Sequence, residues 1–400
     1  MNVFPTLLNR WLLLALLPAV QAVHAHETHH DHSSDAGQST LFFGGGMQFV
    51  AADEAWPSAR LPGVLEGGNQ REDERGSKLA YVEAGLNLSL SSQHSATLKV
   101  AKHGMDLDPE IEAFWVGGNS LGDDSVNYRI GRQQMPIGFL NRQEMHSWEM
   151  GAAPLAMRAV VNDSWRIDGL RFEWLPKSGF KIGTGLWYNQ AFPGGVEKEI
   201  GVNVRSLSLG WSGGHLQLEL GYADLDVNGR TLSTVGSARH THSLPSCDTL
   251  DENRVCFFGK TEVVNLAAKW QAKHFELAGE IFYKRDRGRL DSLYGVPDYR
   301  GEFLGSWLDV SYPLNTRWGL IARIEAGMAN HRFDGTNAEL IADQASILDS
   351  EGTLFGYGLA LNWRPFKGHF IGFEGHSEHF AGEENRLLMI RYQYNFLLGL

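Results

Sequence analysis

The sequence predicts an all-β chain closed into a transmembrane antiparallel β-barrel of about 16 strands. Three observations predict it. The last stretch, 386–400 (RLLMIRYQYNFLLGL), sets a large apolar side chain at every second position from Leu388 to Leu400, with Arg391, Gln393 and Asn395 between them. A period of two gives a strand one greasy and one polar face, and aromatics along the greasy face suit a wall between lipid and a wet lumen. The N-terminal segment 1–25 reads as a signal peptide: Arg10, an apolar run over 11–20, then Val23-His24-Ala25. That run is too short to span a bilayer as a helix, and no later stretch approaches the roughly 18 consecutive apolar residues a membrane helix needs. A membrane-embedded chain of this kind satisfies its backbone only as a closed barrel.

After 26–38, a histidine-rich tail, alternating segments run through 39–400. They fall at 39–51, 78–91, 96–104, 110–117, 126–134, 165–175, 180–189, 200–211, 215–226, 262–271, 274–284, 302–312, 316–331, 353–364, 368–380 and 386–400. In the second, Ala80, Val82, Ala84, Leu86, Leu88 and Leu90 share one face, and Tyr81, Glu83 and Asn87 the other. Short links rich in Pro, Gly, Asn and Ser alternate with long polar ones at 52–77, 135–164, 190–199, 227–261, 285–301 and 332–352. This is the asymmetry of short periplasmic turns and long extracellular loops. Arg205 and Leu207 share a parity, which predicts a bulge near Arg205. No second domain is visible.

The net charge of −12 excludes a nucleic-acid partner, which needs a basic surface. Forty-six glycines and the absence of helical periodicity agree with an all-β chain. Cys247 and Cys256, close together in a polar segment of an exported chain, are expected to form a disulfide. His26, His29, His30 and His32 could bind Zn²⁺ or Cu²⁺ through neutral imidazoles; a solvated tail is the plainer alternative. They form no structural zinc motif, and the only cofactor expectation is zinc on this tail. G-x-S-x-G, H-E-x-x-H and Walker-type patterns are absent, so no enzyme is predicted.

The polar phase of the strands carries Lys99, Arg129, Arg171, Lys181, Lys269, Arg317, Arg323 and Arg391, together with Glu83, Glu173, Glu219, Glu276, Glu280, Glu325 and Glu374. Charges of both signs pointing inward predict a wet interior, and 16 strands leave room for an aqueous channel.

The segment YRIGRQQMPIGF (128–139) resembles a stretch of the phosphate-selective porin O and P family, through Arg129, Gly131, Arg132, Pro136 and Gly138. DGLRFEW, from Asp168, and GTGLWYNQAFPGG, ending at Gly195, look like the family's next hairpin. The final strand is similar to the closing strand of bacterial outer-membrane proteins. The resemblance implies a trimeric outer-membrane channel for small hydrophilic solutes or ions, in contact with outer-membrane lipid. It also implies that loop 135–164 folds inward, with Arg142, Glu144, His146, Glu149, Arg158 and Asp163 as candidates for the constriction. Phosphate selectivity is not carried over, because the expected lumen mixes both signs. A channel for metal acquisition using the histidine tail is the alternative function.

Overall fold

The computed structural model describes residues 38–53, 75–104, 109–119, 126–161, 164–176, 178–189, 192–194, 201–233, 247, 249–250, 254–345, 347, 351–380 and 383–400. The signal segment, His26, His29, His30, His32 and Asp163 lie outside these residues. The first eight strands are β1 (Thr40–Ala52), β2 (Gly76–Ser89), β3 (His94–Lys102), β4 (Glu110–Gly118), β5 (Val126–Gln134), β6 (Arg166–Trp174), β7 (Phe180–Tyr188) and β8 (Val204–Gly213). The rest are β9 (Leu216–Ser233), β10 (Arg254–Gln271), β11 (Glu276–Asp291), β12 (Asp298–Pro313), β13 (Trp318–Asp334), β14 (Gly352–Trp363), β15 (His369–Phe380) and β16 (Glu383–Gly399). Each pairs antiparallel with its sequence neighbours, and β1 pairs with β16 to close the barrel. Closure leaves no strand edge unpaired, the condition for a sheet in lipid.

The alternation sorts side chains as a membrane barrel requires. Leu266, Ile281, Leu359 and Ile390 are exposed on the outer face, while their neighbours Asn265, Glu280, Ala360 and Arg391 are buried inside. Thr40 faces Gly399 at the end that carries the short turns, such as 314–317 and 364–368. The long connections gather at the opposite end, which is the extracellular one by the loop asymmetry.

The wall is uneven in height. Strands β3 to β7 have 9 residues each, whereas β9 and β10 have 18, and β11 and β12 have 16. The segments expected as loops at 227–261, 285–301 and 332–352 therefore contain strand. Their alternation continues with its chemistry inverted. Along β11, outward Ile281 and Tyr283 give way to Arg285, Arg287 and Arg289, while above inward Glu280 come apolar Phe282 and Leu290, with the paired Lys284 and Asp286 between them. Above the bilayer the outer face meets water and the inner face meets a packed plug, so the two faces exchange polarity.

Two local expectations are corrected. β8 pairs in unbroken register with β7 and β9, without a bulge at Arg205. Arg205 instead points outward near the rim, 3.9 Å from Asp224, where a charge can reach headgroups. Arg317 is exposed in the turn before β13 and does not face the lumen.

The largest apolar core lies inside the barrel. Helix α1 (Leu155–Val161) is buried along its whole length. With Met135, Ile137 and Trp148 it packs on inward side chains of the tall wall, including Val255, Phe257, Phe282, Leu290 and Phe303.

Cys247 and Cys256 are joined in a disulfide, and Cys256 sits near the start of β10. Closing a loop of 9 residues' separation contributes about 2–3 kcal/mol on the chain-entropy view. The double variant Cys247→Ala/Cys256→Ala is expected to lose that much while keeping the gel mobility of the unheated barrel. A variant that never reaches the compact band would show that barrel closure depends on the bond.

Candidate functional site

The site is the long connection between β5 and β6, which turns into the lumen. The turn is built into the sequence around Gly138. Its φ of 73° is left-handed, and an added Cβ would sit 2.1 Å from a Glu280 carboxylate oxygen. That carboxylate accepts the backbone N–H groups of Phe139 (2.8 Å) and Leu140 (3.0 Å), and Asn265 donates to its other oxygen at 2.9 Å. Glycine is needed because the loop backbone lies directly against a wall side chain. Asn141 ties the two ends together, donating to Met135 O and accepting from Trp165 N–H.

Beyond the turn, the loop is fastened to strands on several sides of the barrel. Arg142 pairs with Glu219 of β9. Glu144 lies 3.7 Å from Lys99 of β3 and 3.5 Å from Arg166 of β6. His146 lies 3.1 Å from Glu83 of β2 and stacks on Tyr81 at 4.0 Å. The next stretch is clamped by β13 to β16. Arg391 donates to the carbonyls of Trp148 and Glu149 and to Glu374. Glu374 accepts Gly151 N–H at 2.8 Å, Asn362 donates to Glu149 O, and Arg323 donates to Ala152 O at 2.7 Å. Glu325 accepts Leu155 N–H at the start of α1.

The five described constriction candidates are thus inside the barrel but do not share one environment. Arg158 is a correction: its side chain is 1% exposed and pairs with Glu378, so it is an internal anchor facing no open path. It lies on α1, which turns its charge into the core. Arg142 (21% exposed), Glu144 (19%) and Glu149 (40%) keep contact with water while paired; Glu149 meets Arg364 at 3.1 Å. His146 is largely covered.

The wall residues divide similarly. Arg171 pairs with Glu173, and Lys181 lies 3.6 Å from Glu219. Arg323 binds Asp309 through two hydrogen bonds, and Arg391 pairs with Glu374. Arg129 lies over the Trp115 ring at 4.4 Å. Arg132, by contrast, sits on the opposite face, bonded twice to Asp168 of β6. A buried or half-buried charge is tolerated when it is paired and hydrogen-bonded, and Arg171, Arg323 and Arg391 meet that condition within the wall.

Several buried groups escaped the sequence reading because they lie where loops were expected or share no motif. Arg230 donates to Asp286 (2.9 Å) and to Pro193 O, and Lys284 lies 3.5 Å from the same Asp286. Glu378 and Arg166 are the unrecognised partners of loop residues. The inward parity of Lys284 and Asp286 continues that of Glu280, which is the signal that could have found them.

Among the described residues, one group has metal-ligand character: His103, Glu110 and Glu112. Arg166 lies 2.6 Å from Glu112 and 3.2 Å from Glu110, and Lys99 lies 3.2 Å from Glu112. Two cations thus already occupy the carboxylates, a donor set poorly suited to a metal ion.

No family model matches the chain. No curated protein matches its sequence. The fold, however, recurs in solved structures. The anion-selective porin from Comamonas acidovorans superposes with a TM-score of 0.53 at 12% identity, over 90% of this chain and 99% of its own. The trimer form of OmpT, an outer-membrane protein of Vibrio cholerae, gives 0.52 at 11%, over 90% and 99%. Salmonella typhi OmpF in complex with daunomycin gives 0.52 at 10%, over 90% and 97%. The fold is the 16-stranded porin barrel. At these identities the likeness extends to the fold.

Proposed function

We propose that this chain is an outer-membrane channel for passive diffusion of small hydrophilic solutes or ions. The observation that carries the reading is the loop segment 135–161, which enters the lumen and is held there by wall side chains on β2, β9, β11, β13 and β16. Such a device narrows an otherwise wide barrel and sets what passes by size and charge. The side chains that stay wet beside it, Arg142, Glu144, Glu149, Lys181 and Arg129, carry both signs. The reading needs no catalytic step and no cofactor.

The motif at 128–139 supports kinship with the phosphate-selective porin O and P family at the loop hinge, since Gly138 and its glutamate partner shape the inward turn. It does not support that family's selectivity. Lumen cations such as Lys99, Arg171, Arg323 and Arg391 are neutralised by adjacent carboxylates, which leaves no ladder of free arginines among the described residues. A trimer is the assembly we favour, with the low wall of β3 to β7 as the contact face. Its outer side carries exposed Ile111, Phe114, Val116 and Ile130.

Planar-bilayer recording in KCl and in potassium phosphate tests the reading. Stepwise conductance with weak ion preference is expected; a purified, folded barrel with no conductance would end it. Arg142→Gln should move the reversal potential toward cations, because one positive charge is lost beside Glu219, which keeps Lys181 alone as a cationic neighbour. At about 6 Å and an effective dielectric near 20, one unit charge is worth roughly 2.8 kcal/mol before screening, and salt reduces this at a wet site. A wild-type reversal potential in Arg142→Gln would remove Arg142 from the ion path.

A further inference from the structure

The tall wall carries a feature that diffusion through the lumen does not use. Strand register places Lys260 of β10 opposite Arg287 of β11, Arg287 opposite Arg300 of β12, and Arg300 opposite Arg332 of β13. All four are exposed on the outer face. Like charges directly opposite on neighbouring strands destabilise a sheet, so four in one row call for a compensating anion. The sheet supplies part of it: Lys260 lies 3.4 Å from Asp226, and Arg300 lies 2.6 Å from Glu302. Arg287 and Arg332 have no ion pair among the described residues.

The height of the row identifies what it meets. Two rows below it, toward the short-turn end, Tyr222, Val264, Tyr283 and Leu304 form the upper border of the apolar band. Tyrosines mark the interface between hydrocarbon and headgroups. Four residues of strand rise about 13 Å, or about 9 Å along the membrane normal at a tilt near 45°. The cations therefore stand in the outer-leaflet headgroup layer. At about 4.8 Å per strand the row is about 15 Å wide, room for more than one phosphate, and guanidinium groups bind phosphate through paired hydrogen bonds.

We propose that Lys260, Arg287, Arg300 and Arg332 form a docking surface for the phosphate groups of an outer-leaflet glycolipid, the chemistry of diphosphoryl lipid A. This rests on the membrane placement of the barrel and is independent of whether the lumen conducts.

The test uses the detergent-purified full-length barrel, offered diphosphoryl lipid A or its dephosphorylated counterpart and read by native mass spectrometry. Wild type is expected to retain the diphosphoryl lipid in preference. The variant Lys260→Gln/Arg287→Gln/Arg300→Gln/Arg332→Gln should lose at least about tenfold in retention, since four attractions to an anionic headgroup are removed together. A control, Lys273→Gln/Arg317→Gln, removes exposed charge from the short turns at the opposite end of the barrel and should retain lipid as wild type does. Heat-modifiable gel mobility verifies folding for each; if the four-site variant does not fold, the pair Arg287→Gln/Arg332→Gln is read instead. Equal retention by the row variant, equal loss in the control, or equal retention of the dephosphorylated lipid would overturn the proposal.

Discussion

Arg391→Met is expected to release the inward loop while the barrel stays closed. Arg391 bonds Glu374 at 2.7 Å and also holds the Trp148 and Glu149 carbonyls. Glu374 in turn holds Gly151 N–H, and its side chain is fully covered. Removing one member of a buried pair costs up to about 3–5 kcal/mol, of which His376, 3.2 Å from Glu374, offsets a part. That cost falls on the loop, because the β15–β16 ladder is made of backbone hydrogen bonds that the substitution leaves intact. Two results should follow together: trypsin gains access to Arg142, and channel records show larger, noisier current than wild type. The double variant Arg391→Met/Glu374→Gln should recover part of the loss, since no carboxylate is then left unpaired. If Arg391→Met matches wild type in both proteolysis and current, the clamp does not hold the loop.

Gly138→Val acts at the other end of the loop. A β-branched residue at a φ of 73° carries strain of about 1–3 kcal/mol. Its Cβ also collides with the Glu280 carboxylate, which must move and give up Phe139 and Leu140. The loop should then leave the wall at its entry, with lower refolding yield and altered conductance. Gly138→Ala should show the same change in smaller measure, since it adds less bulk beside the strand. Normal yield and current in Gly138→Val would mean that the turn tolerates a side chain there, and the account of the hinge would fall.

The two substitutions test ends of one device that the sequence reveals unequally. Pro136, Gly138 and the arginines of 128–139 marked the place where the chain turns. Nothing in the spacing of Glu280, Glu374 or Arg391 marked them as the groups that receive it. They are separated from the loop by more than a hundred residues and meet it only because the barrel closes. Arg158 shows the same limit from the other side. Its charge suggested a wet position, but helix α1 turns it onto Glu378 in the core.

The sequence by itself determined the strands and their number, because a wall between lipid and water imposes a period of two on every crossing segment, and that period survives in the residues whatever their long-range partners. It determined the direction of the barrel too, through the lengths of its turns and loops. Only the tertiary structure decided how far the tall wall rises and what fills the lumen. Above the bilayer the inner face of β9 to β13 packs against the loop and the outer face meets water, so the apolar phase changes sides. A reading tied to one phase ends the strand where the environment changes, although the backbone continues. Ion pairing between the loop and the wall was likewise decided by the tertiary structure, since the approach of Arg142 to Glu219 and of His146 to Glu83 has no counterpart in sequence spacing.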